Sequence, residues 1–288
     1  PAYVEYMAES INTTIPKEEI KKRRDMRKVL SFTIDPIDAK DFDDALSYEV
    51  LKNGNLEIGV HIADVSHYVK PGSLLDLEAY KRATSVYLVD RVVPMLPEIL
   101  SADVCSLKEG EDRAAMACHM HINADGKVSS FRFTRALVRI AHNIAYEDAQ
   151  KAVDAGNPPE YLANLWAAWK ALAAARDARD PLALELPERR VVLDAKGQIA
   201  EIAIRERLAA HRVVEDFMIA ANVAAAKALE KKKAPVMYRI HEPPSREKLV
   251  ALKEYLKTLD VEFALGQVIR PKTFNHVIAR TKEADYHA

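Results

Sequence analysis

The 288-residue sequence contains only two cysteines, Cys105 and Cys118, and they are not spaced as a CxxC pair. This scarcity excludes a disulfide framework as the source of stability and favours a reducing compartment. No apolar run approaches the ~20 residues that a membrane-spanning helix needs. The first residues, PAYVEYMAES, lack the basic and apolar regions of a signal peptide. From these absences we predict a cytoplasmic protein without a membrane segment.

Excess positive charge is also missing, since the formal net charge is −1. A free-standing nucleic-acid-binding protein is usually basic, so any affinity for phosphate must come from a local patch, bound cations or other modules. The densest positive run, Lys21-Lys22-Arg23-Arg24, is interpreted as the solvated face of a helix. GxxxxGK, HExxH and GxSxG motifs are absent, which excludes the common nucleotide-binding, zinc-protease and serine-hydrolase signatures.

The two halves of the chain differ in amino-acid composition and in predicted secondary structure. Up to about residue 145 the sequence has the alternation of β-strands, with hairpin turns predicted at Asn53-Gly54 and Asp125-Gly126. From about residue 147 it becomes alanine-rich and helical, interrupted by one more hairpin at Lys196-Gly197. No polar linker separates the halves. We therefore predict one α+β domain with a β-rich, hairpin-containing N-terminal half and a helix-rich C-terminal half.

Five segments of the second half receive individual assignments. Helices are predicted for PPEYLANLWAAWKALAAARDARD, RERLAAHRVVEDFMIAANVAAAKALEKKK, REKLVALKEYLKTL and RPKTFNHVIARTKEADYHA. The segment APVMYRIHEPP predicts a short buried strand that is stopped by prolines.

The stretch SFTIDPIDAKDFDDAL, residues 31–46, places five aspartates close together. Carboxylates this close repel one another unless something compensates their charge. Hard oxygen ligands at this density suit Mg²⁺ or Mn²⁺ rather than zinc, and the chemistry that most needs such a site is phosphoryl transfer. An EF-hand is excluded because no glycine lies among the aspartates. A calcium-clamped structural loop remains the alternative.

TIDPIDAKDFDDA resembles the signature of the RNase II/RNase R (RNB) family of 3′→5′ exoribonucleases. The resemblance continues through GVHIADVSHYV, YLVDRVVPMLPEILS, VCSL, LELPERR, HRVVEDFMIAANVAAA and YRIHEPP. It implies an RNB-like catalytic domain over 29–288, preceded by a lead-in segment over 1–28. It also implies that Asp35, Asp41, Asp43 and Asp44 are both the catalytic and the metal-binding residues, whereas Asp38 lies outside this set.

The resemblance implies a metal-dependent enzyme that hydrolyses single-stranded RNA to nucleoside 5′-monophosphates with Mg²⁺ as cofactor and Mn²⁺ as the alternative. We expect a monomer that carries cold-shock and S1 RNA-binding modules in its full-length form. The family's GHFGL and TSPIRRY stretches have no counterpart here, so we expect the domain to be incomplete on its C-terminal side. A catalytically incomplete RNB-like module that binds RNA or a protein is the alternative function.

Five further residues are predicted to bind substrate. The resemblance places Tyr87 near the terminal nucleotide and Tyr146 in a clamp on the last bases; core packing is the alternative for both. Arg91 is interpreted as a phosphate or loop anchor. Glu215 and Asn222 share a helix face with His211, on a helix that backs the RNA channel in the family. A capped core network is the alternative for that face.

Four histidines could be ligands of a zinc ion, but we do not predict a zinc site. His61 and His67 lie in one segment, and His119 and His121 would share one face of a strand. No cysteine or carboxylate set joins them at the spacing usual for zinc.

Overall fold

The computed structural model describes residues 2–52, 54, 56–184, 188–265 and 269–281. It confirms the α+β class: a large sheet built from the first half of the chain packs against long helices from the second. Within the described segments, no helix is long and apolar enough to cross a membrane.

The strands and helices have the following residue ranges. The strands are β1 Arg24–Asp25, β2 Ser31–Asp35, β3 Asp44–Val50, β4 Leu56–Ala63, β5 Val86–Tyr87, β6 Val92–Val93, β7 Asp112–Ile122, β8 Val128–Arg139, β9 His142–Ala145, β10 Glu188–Leu193 and β11 Ile199–Arg205. The helices are α1 Ala2–Glu9, α2 Lys17–Ile20, α3 Val65–Tyr68, α4 Leu74–Arg82, α5 Tyr146–Asp154, α6 Glu160–Asp177, α7 Ala209–Lys231, α8 Arg246–Lys257 and α9 Pro271–Thr281, with a π-helix at Ile99–Val104.

The main sheet has seven strands in the order β1-β8-β7-β4-β3-β2-β9. Its neighbours are antiparallel except for two parallel pairs, β1 with β8 and β2 with β9. The three predicted hairpins are confirmed as β3–β4, β7–β8 and β10–β11. Gly126 and Gly197 adopt φ values of 71° and 75° in their turns, a region that L side chains disfavour. Asn53 lies outside the described residues.

The two faces of the sheet bury different side chains. Large residues such as Phe32, Leu46 and Ile58 face α5, α6 and α7, and each such burial stabilises the fold by about 1.5–3 kcal/mol. The opposite face presents small residues, including Ala45 and Ala117, toward α1, α4 and the π-helix. The alternation of strand side chains thus supports a core on both faces.

The predicted strand in APVMYRIHEPP is wrong. Between α7 and α8 the backbone is irregular, and Met237 and Ile240 are 98% and 76% exposed. A strand needs a neighbour for its backbone hydrogen bonds, and no ladder includes this segment in the described chain. Helices α6, α7 and α8 confirm their predictions, as does α9 up to Thr281, beyond which the prediction falls outside the described residues.

The basic run near residue 21 also differs from its interpretation as a solvated helix face. Arg23 is buried, and its Nη2 lies 2.7 Å from Asp64 Oδ2 and 2.8 Å from Glu19 Oε1. The next two residues form β1 and pair with β8. A buried arginine is stable only when acids pair with it. Glu19 lies four residues earlier, whereas Asp64 comes from the distant junction of β4 and α3. The boundary drawn between the lead-in segment and the domain stays a prediction.

Candidate active site

The four family-signature aspartates gather at one edge of the main sheet. Strand β2 ends at Asp35 and its antiparallel neighbour β3 begins at Asp44, so the loop between them returns to the same edge. The end of β4 lies there too, since Ala63 N donates to Asp43 O at 2.9 Å. We call Asp35, Asp41, Asp43 and Asp44 the aspartate edge.

The loop that carries Asp41 and Asp43 is clamped by the segment after the π-helix. Ser106 Oγ accepts from Phe42 N at 3.0 Å and donates to Lys40 O at 2.8 Å. Leu107 N also donates to Phe42 O at 2.8 Å. Ser106 is fully buried, so these bonds are shielded from water. The VCSL motif contributed to the resemblance, but nothing in its residue types revealed that its serine fixes the aspartate loop.

Burial and mutual repulsion raise the pKa values at the aspartate edge. The pKa of Asp35 rises to about 7, chiefly through burial; a hydrogen bond from Thr33 opposes the rise, and the charges of Asp44, Asp43 and Asp41 add to it. The pKa of Asp44 rises to about 6 through burial and the charge of Asp43. Desolvation and Asp41 raise the pKa of Asp43. The carboxylates therefore act on one another and favour neutralisation by a proton or a cation.

The donor chemistry of the aspartate edge fits a hard divalent cation. Asp35 Oδ2 is buried and has no hydrogen-bond partner, and a buried oxygen of this kind calls for an explanation such as an ion. In the described part of the chain, however, no group of three or more His, Cys, Asp or Glu side chains is placed to hold a metal ion. The residue types of the aspartate edge therefore suit a hard cation, while the placement of the described side chains does not form a coordination set.

Tyr146 lies beside the aspartate edge. Strands β2 and β9 are parallel, and Asp35 pairs with Ala145 across the ladder. Tyr146 directly follows Ala145 in the chain. Its ring stacks on that of His211, with centroids 4.0 Å apart and planes inclined by 16°. The β9–α5 junction thus brings this predicted substrate residue to the same edge as the carboxylates.

Tyr87 and Arg91 lie on a separate two-stranded hairpin, β5–β6. Tyr87 is 71% exposed, which leaves an aromatic face open for stacking. Arg91 Nε donates to the carboxylate of the adjacent Asp90 at 2.9 Å. A phosphate would therefore have to compete with Asp90 for this guanidinium.

Helix α7 buries a different carboxylate from the one that its sequence pattern indicates. Glu215 is half exposed and pairs with Arg207, and Asn222 is exposed. The buried acid is Asp216, which accepts from Trp169 Nε1 at 2.8 Å and from Arg176 Nη1 at 2.6 Å. These partners on α6 decide which side of α7 faces inward.

Histidines and one glutamate form a second polar cluster, well inside the sheet. His61 Nε2 lies 2.8 Å from Ser47 Oγ, and Glu57 Oε1 and Oε2 lie 3.0 Å from His119 Nδ1 and 2.7 Å from His121 Nε2. We call Ser47, Glu57, His61, His119 and His121 the histidine row. Burial, with His119 nearby, lowers the pKa of His61 to about 3. Glu57 joins two of the histidines, a carboxylate that the sequence did not reveal.

Comparison with known proteins identifies close relatives. The model of the RNB domain matches residues 23–287. Ribonuclease R of Thermotoga maritima is 40% identical over 284 residues, covering 96% of this chain and 40% of the relative. Ribonuclease R of Escherichia coli is 33% identical over 286 residues, covering 96% of this chain and 35% of the relative. The chain thus spans about two fifths of the length of these curated relatives.

Solved structures agree with the fold. Mycoplasma genitalium RNase R in complex with ribose-methylated single-stranded RNA superposes with a TM-score of 0.91 at 25% identity, over 100% of this chain and 46% of that one. The same enzyme with double-stranded RNA gives a TM-score of 0.91 at 26% identity, over 99% and 52% of the chains. The yeast pseudonuclease Ssd1 shares the fold alone, with a TM-score of 0.73 at 18% identity over 95% and 34%. With a family model matched over residues 23–287, this chain belongs to the RNB family.

Proposed function

We propose that the chain is the catalytic domain of a metal-dependent 3′→5′ exoribonuclease that hydrolyses single-stranded RNA to nucleoside 5′-monophosphates. The observation that carries the proposal is the aspartate edge, where mutually repelling carboxylates include a buried oxygen without a partner. The relatives named Ribonuclease R support the same activity. Solved relatives that hold single-stranded and double-stranded RNA support an RNA substrate.

In this proposal the four aspartates of the aspartate edge hold Mg²⁺, with Mn²⁺ as a substitute. The bound cation supplies Lewis-acid chemistry, lowering the pKa of the attacking water and stabilising the leaving oxygen. The aspartates supply the compensating negative charge, and Ser106 keeps the loop of Asp41 and Asp43 in place. Because Asp43 and Asp44 are consecutive, their side chains diverge and present oxygens in different directions.

The remaining predicted substrate residues position the RNA. Tyr146 and Tyr87 stack on bases, an interaction that tolerates any sequence because every base has a π face. Arg91 exchanges Asp90 for a phosphate, while Glu215 and Asn222 brace the helix behind the channel. The protein acts as a monomer in the cytoplasm, and cold-shock and S1 modules in the full-length protein supply the basic RNA-binding surface that a net charge of −1 does not.

The deciding experiment gives the purified chain 5′-labelled poly(A) with Mg²⁺ and resolves the products on a sequencing gel. We expect a ladder that shortens from the 3′ end. Internally labelled RNA should release nucleoside 5′-monophosphates in phosphate-free buffer, which separates hydrolysis from phosphorolysis. EDTA is the control and should abolish the ladder. Internal cleavage, or a ladder that persists in EDTA, would contradict the proposal.

A second candidate is an RNB-like module that binds RNA or a protein without efficient catalysis. On the same gel this module would leave the length of the RNA unchanged. A filter-binding assay would show that the protein retains the RNA.

A further inference from the structure

An asparagine outside the aspartate edge contacts the strand that ends at Asp35. Strand β9 runs parallel to β2, with Asn143 in register with Thr33 and Ala145 in register with Asp35. Thr33 and Asp35 are two residues apart on an extended strand, so their side chains share one face of the sheet. Asn143 therefore lies directly across the ladder from Thr33, and Asp35 lies two residues further along the strand from Thr33.

The amide of Asn143 has a single consistent orientation. Its Nδ2 donates to Thr33 Oγ1 at 2.9 Å and to Leu107 O at 3.0 Å, while its Oδ1 accepts from Glu109 N at 2.8 Å. Exchanging the amide nitrogen and oxygen would set an acceptor against the carbonyl oxygen of Leu107 and a donor against the Glu109 amide. The network itself therefore determines that Thr33 Oγ1 accepts a hydrogen bond from Asn143 Nδ2.

The direction of that hydrogen bond sets what Thr33 does next. Thr33 is fully buried, and its oxygen is occupied by the Asn143 donor, so its own hydrogen must be donated elsewhere. The next side chain along this face is that of Asp35, two residues on, and a hydrogen bond from the Thr33 side chain opposes the rise of the Asp35 pKa. The Oδ2 atom of Asp35 is buried and has no hydrogen-bond partner of its own.

We propose that Asn143 is a positioning residue that acts through the hydroxyl of Thr33 to aim Asp35 at a divalent cation. The inference rests on the proposed function, since it assigns a supporting role to residues behind its metal site. Hydrogen bonds from outside a coordination shell orient ligands, and their loss typically lowers metal affinity or activity about 10–100-fold.

The test is a double-mutant cycle on the whole chain, with Thr33→Val, Asn143→Ala and the double variant. Mn²⁺ binding is followed by electron paramagnetic resonance of free Mn²⁺, alongside single-turnover RNA shortening and thermal unfolding. Each single variant should weaken Mn²⁺ binding roughly 10–100-fold, and the double variant should be no worse than Thr33→Val alone. Thr33→Ser keeps the hydroxyl and should restore wild-type affinity.

Asn164→Ala provides the matched control. Asn164 Nδ2 donates to the hydroxyl of Tyr48 at 2.6 Å, an amide–hydroxyl pair that does not involve the aspartate edge. This variant should lower the unfolding temperature and leave Mn²⁺ affinity unchanged. If Thr33→Val and Asn143→Ala behave like it, or if their effects on Mn²⁺ affinity add, the positioning role is overturned.

Failure of the proposed function gives a different result. Wild-type protein that binds Mn²⁺ without shortening RNA would contradict the exoribonuclease, and the Mn²⁺ titrations would still decide the role of Asn143. Wild-type protein that shortens RNA while Thr33→Val and Asn143→Ala keep full Mn²⁺ affinity would overturn the positioning role alone. Wild-type protein that binds no Mn²⁺ would overturn both.

Discussion

The aspartate edge and the histidine row lie in the same sheet, and burial shifts the pKa values of their members in opposite directions. It raises the pKa of Asp35 to about 7 and that of Asp44 to about 6. It lowers the pKa of His61 to about 3. In each cluster the low-dielectric surroundings disfavour the charged form.

The consequence at neutral pH differs between the two clusters. A neutral imidazole is an ordinary state at pH 7. The histidine row finds partners in Ser47 and Glu57, while His61 Nδ1 and His119 Nε2 are buried without a partner. Aspartates are ordinarily ionised at pH 7, so the aspartate edge needs protons or a cation to relieve its repulsion. The aspartate edge therefore calls for a counter-charge, whereas neutral histidines do not.

The largest expected effect is on catalysis. Asp43→Asn keeps the shape of the side chain and removes a charge that the proposed cation needs, so the single-turnover rate of RNA shortening should fall roughly 10²–10³-fold. RNA affinity, measured by fluorescence anisotropy at fixed salt because phosphate contacts depend on salt, should change little.

Asp38→Asn is the control for that prediction, because Asp38 is an exposed residue of the same loop and lies outside the proposed ligand set. It should keep the wild-type rate. A normal rate for Asp43→Asn, or lost RNA binding with normal turnover of the RNA that remains bound, would contradict the role of Asp43.

The next largest effect is stabilisation by Mg²⁺. A ligand that binds only the folded state adds about 2.7 kcal/mol to the free energy of unfolding at 100 times its dissociation constant. Thermal unfolding should therefore shift upward with Mg²⁺ and return with EDTA. Asp35→Asn should lose this increment, whereas Glu57→Gln in the histidine row should keep it. An equal increment in both variants would mean that Mg²⁺ binds elsewhere.

A third prediction concerns the packing of the histidine row. A Cβ at Gly59 would lie 2.4 Å from Ser47 Oγ and 2.8 Å from His61 Nε2. Gly59→Ala should therefore lower the free energy of unfolding by about 1–3 kcal/mol, the usual cost of overpacking a core. Urea unfolding measures the loss, and the increment from Mg²⁺ should persist in this variant. A stability equal to the wild type would show that the row is loosely packed.

The smallest effect is a pH dependence of stability from His61. Its folded pKa of about 3 lies below the ordinary value of 6.5, so the unfolded chain binds more protons between these values. This contribution is fully present above pH 6.5 and is lost as the pH falls toward 3. His119 has a pKa lowered by burial, and Glu57 one lowered by its histidine partners, so both act in the same direction.

Urea unfolding of the wild type and of His61→Asn at pH 7.5 and pH 5, in EDTA, isolates the contribution of His61. The wild type should lose more stability between the two pH values than the variant does. Equal losses would show that His61 accepts a proton in the folded state.

Sequence reasoning was most successful where the signal is local. The turn glycines Gly126 and Gly197 predicted two hairpins because their positive φ values depend on the glycine itself. The alanine-rich helices followed from periodicity. Reasoning failed for APVMYRIHEPP, since a strand depends on a neighbour. It also did not single out Asp216, the acid that α7 buries because Trp169 and Arg176 pack there. The substrate role of Glu215 stays a prediction.

By itself, the sequence determined the hairpins and long helices, the family and the choice of the four candidate carboxylates, because these depend on residue identity and short spacing. Only the tertiary structure decided how those carboxylates are desolvated and held. Ser106 reaches Phe42 across 64 positions, and Asn143 reaches Thr33 across 110. Burial and hydrogen-bond direction are properties of such distant neighbours, so no local pattern in the chain could reveal that Asp35 has a buried oxygen without a partner.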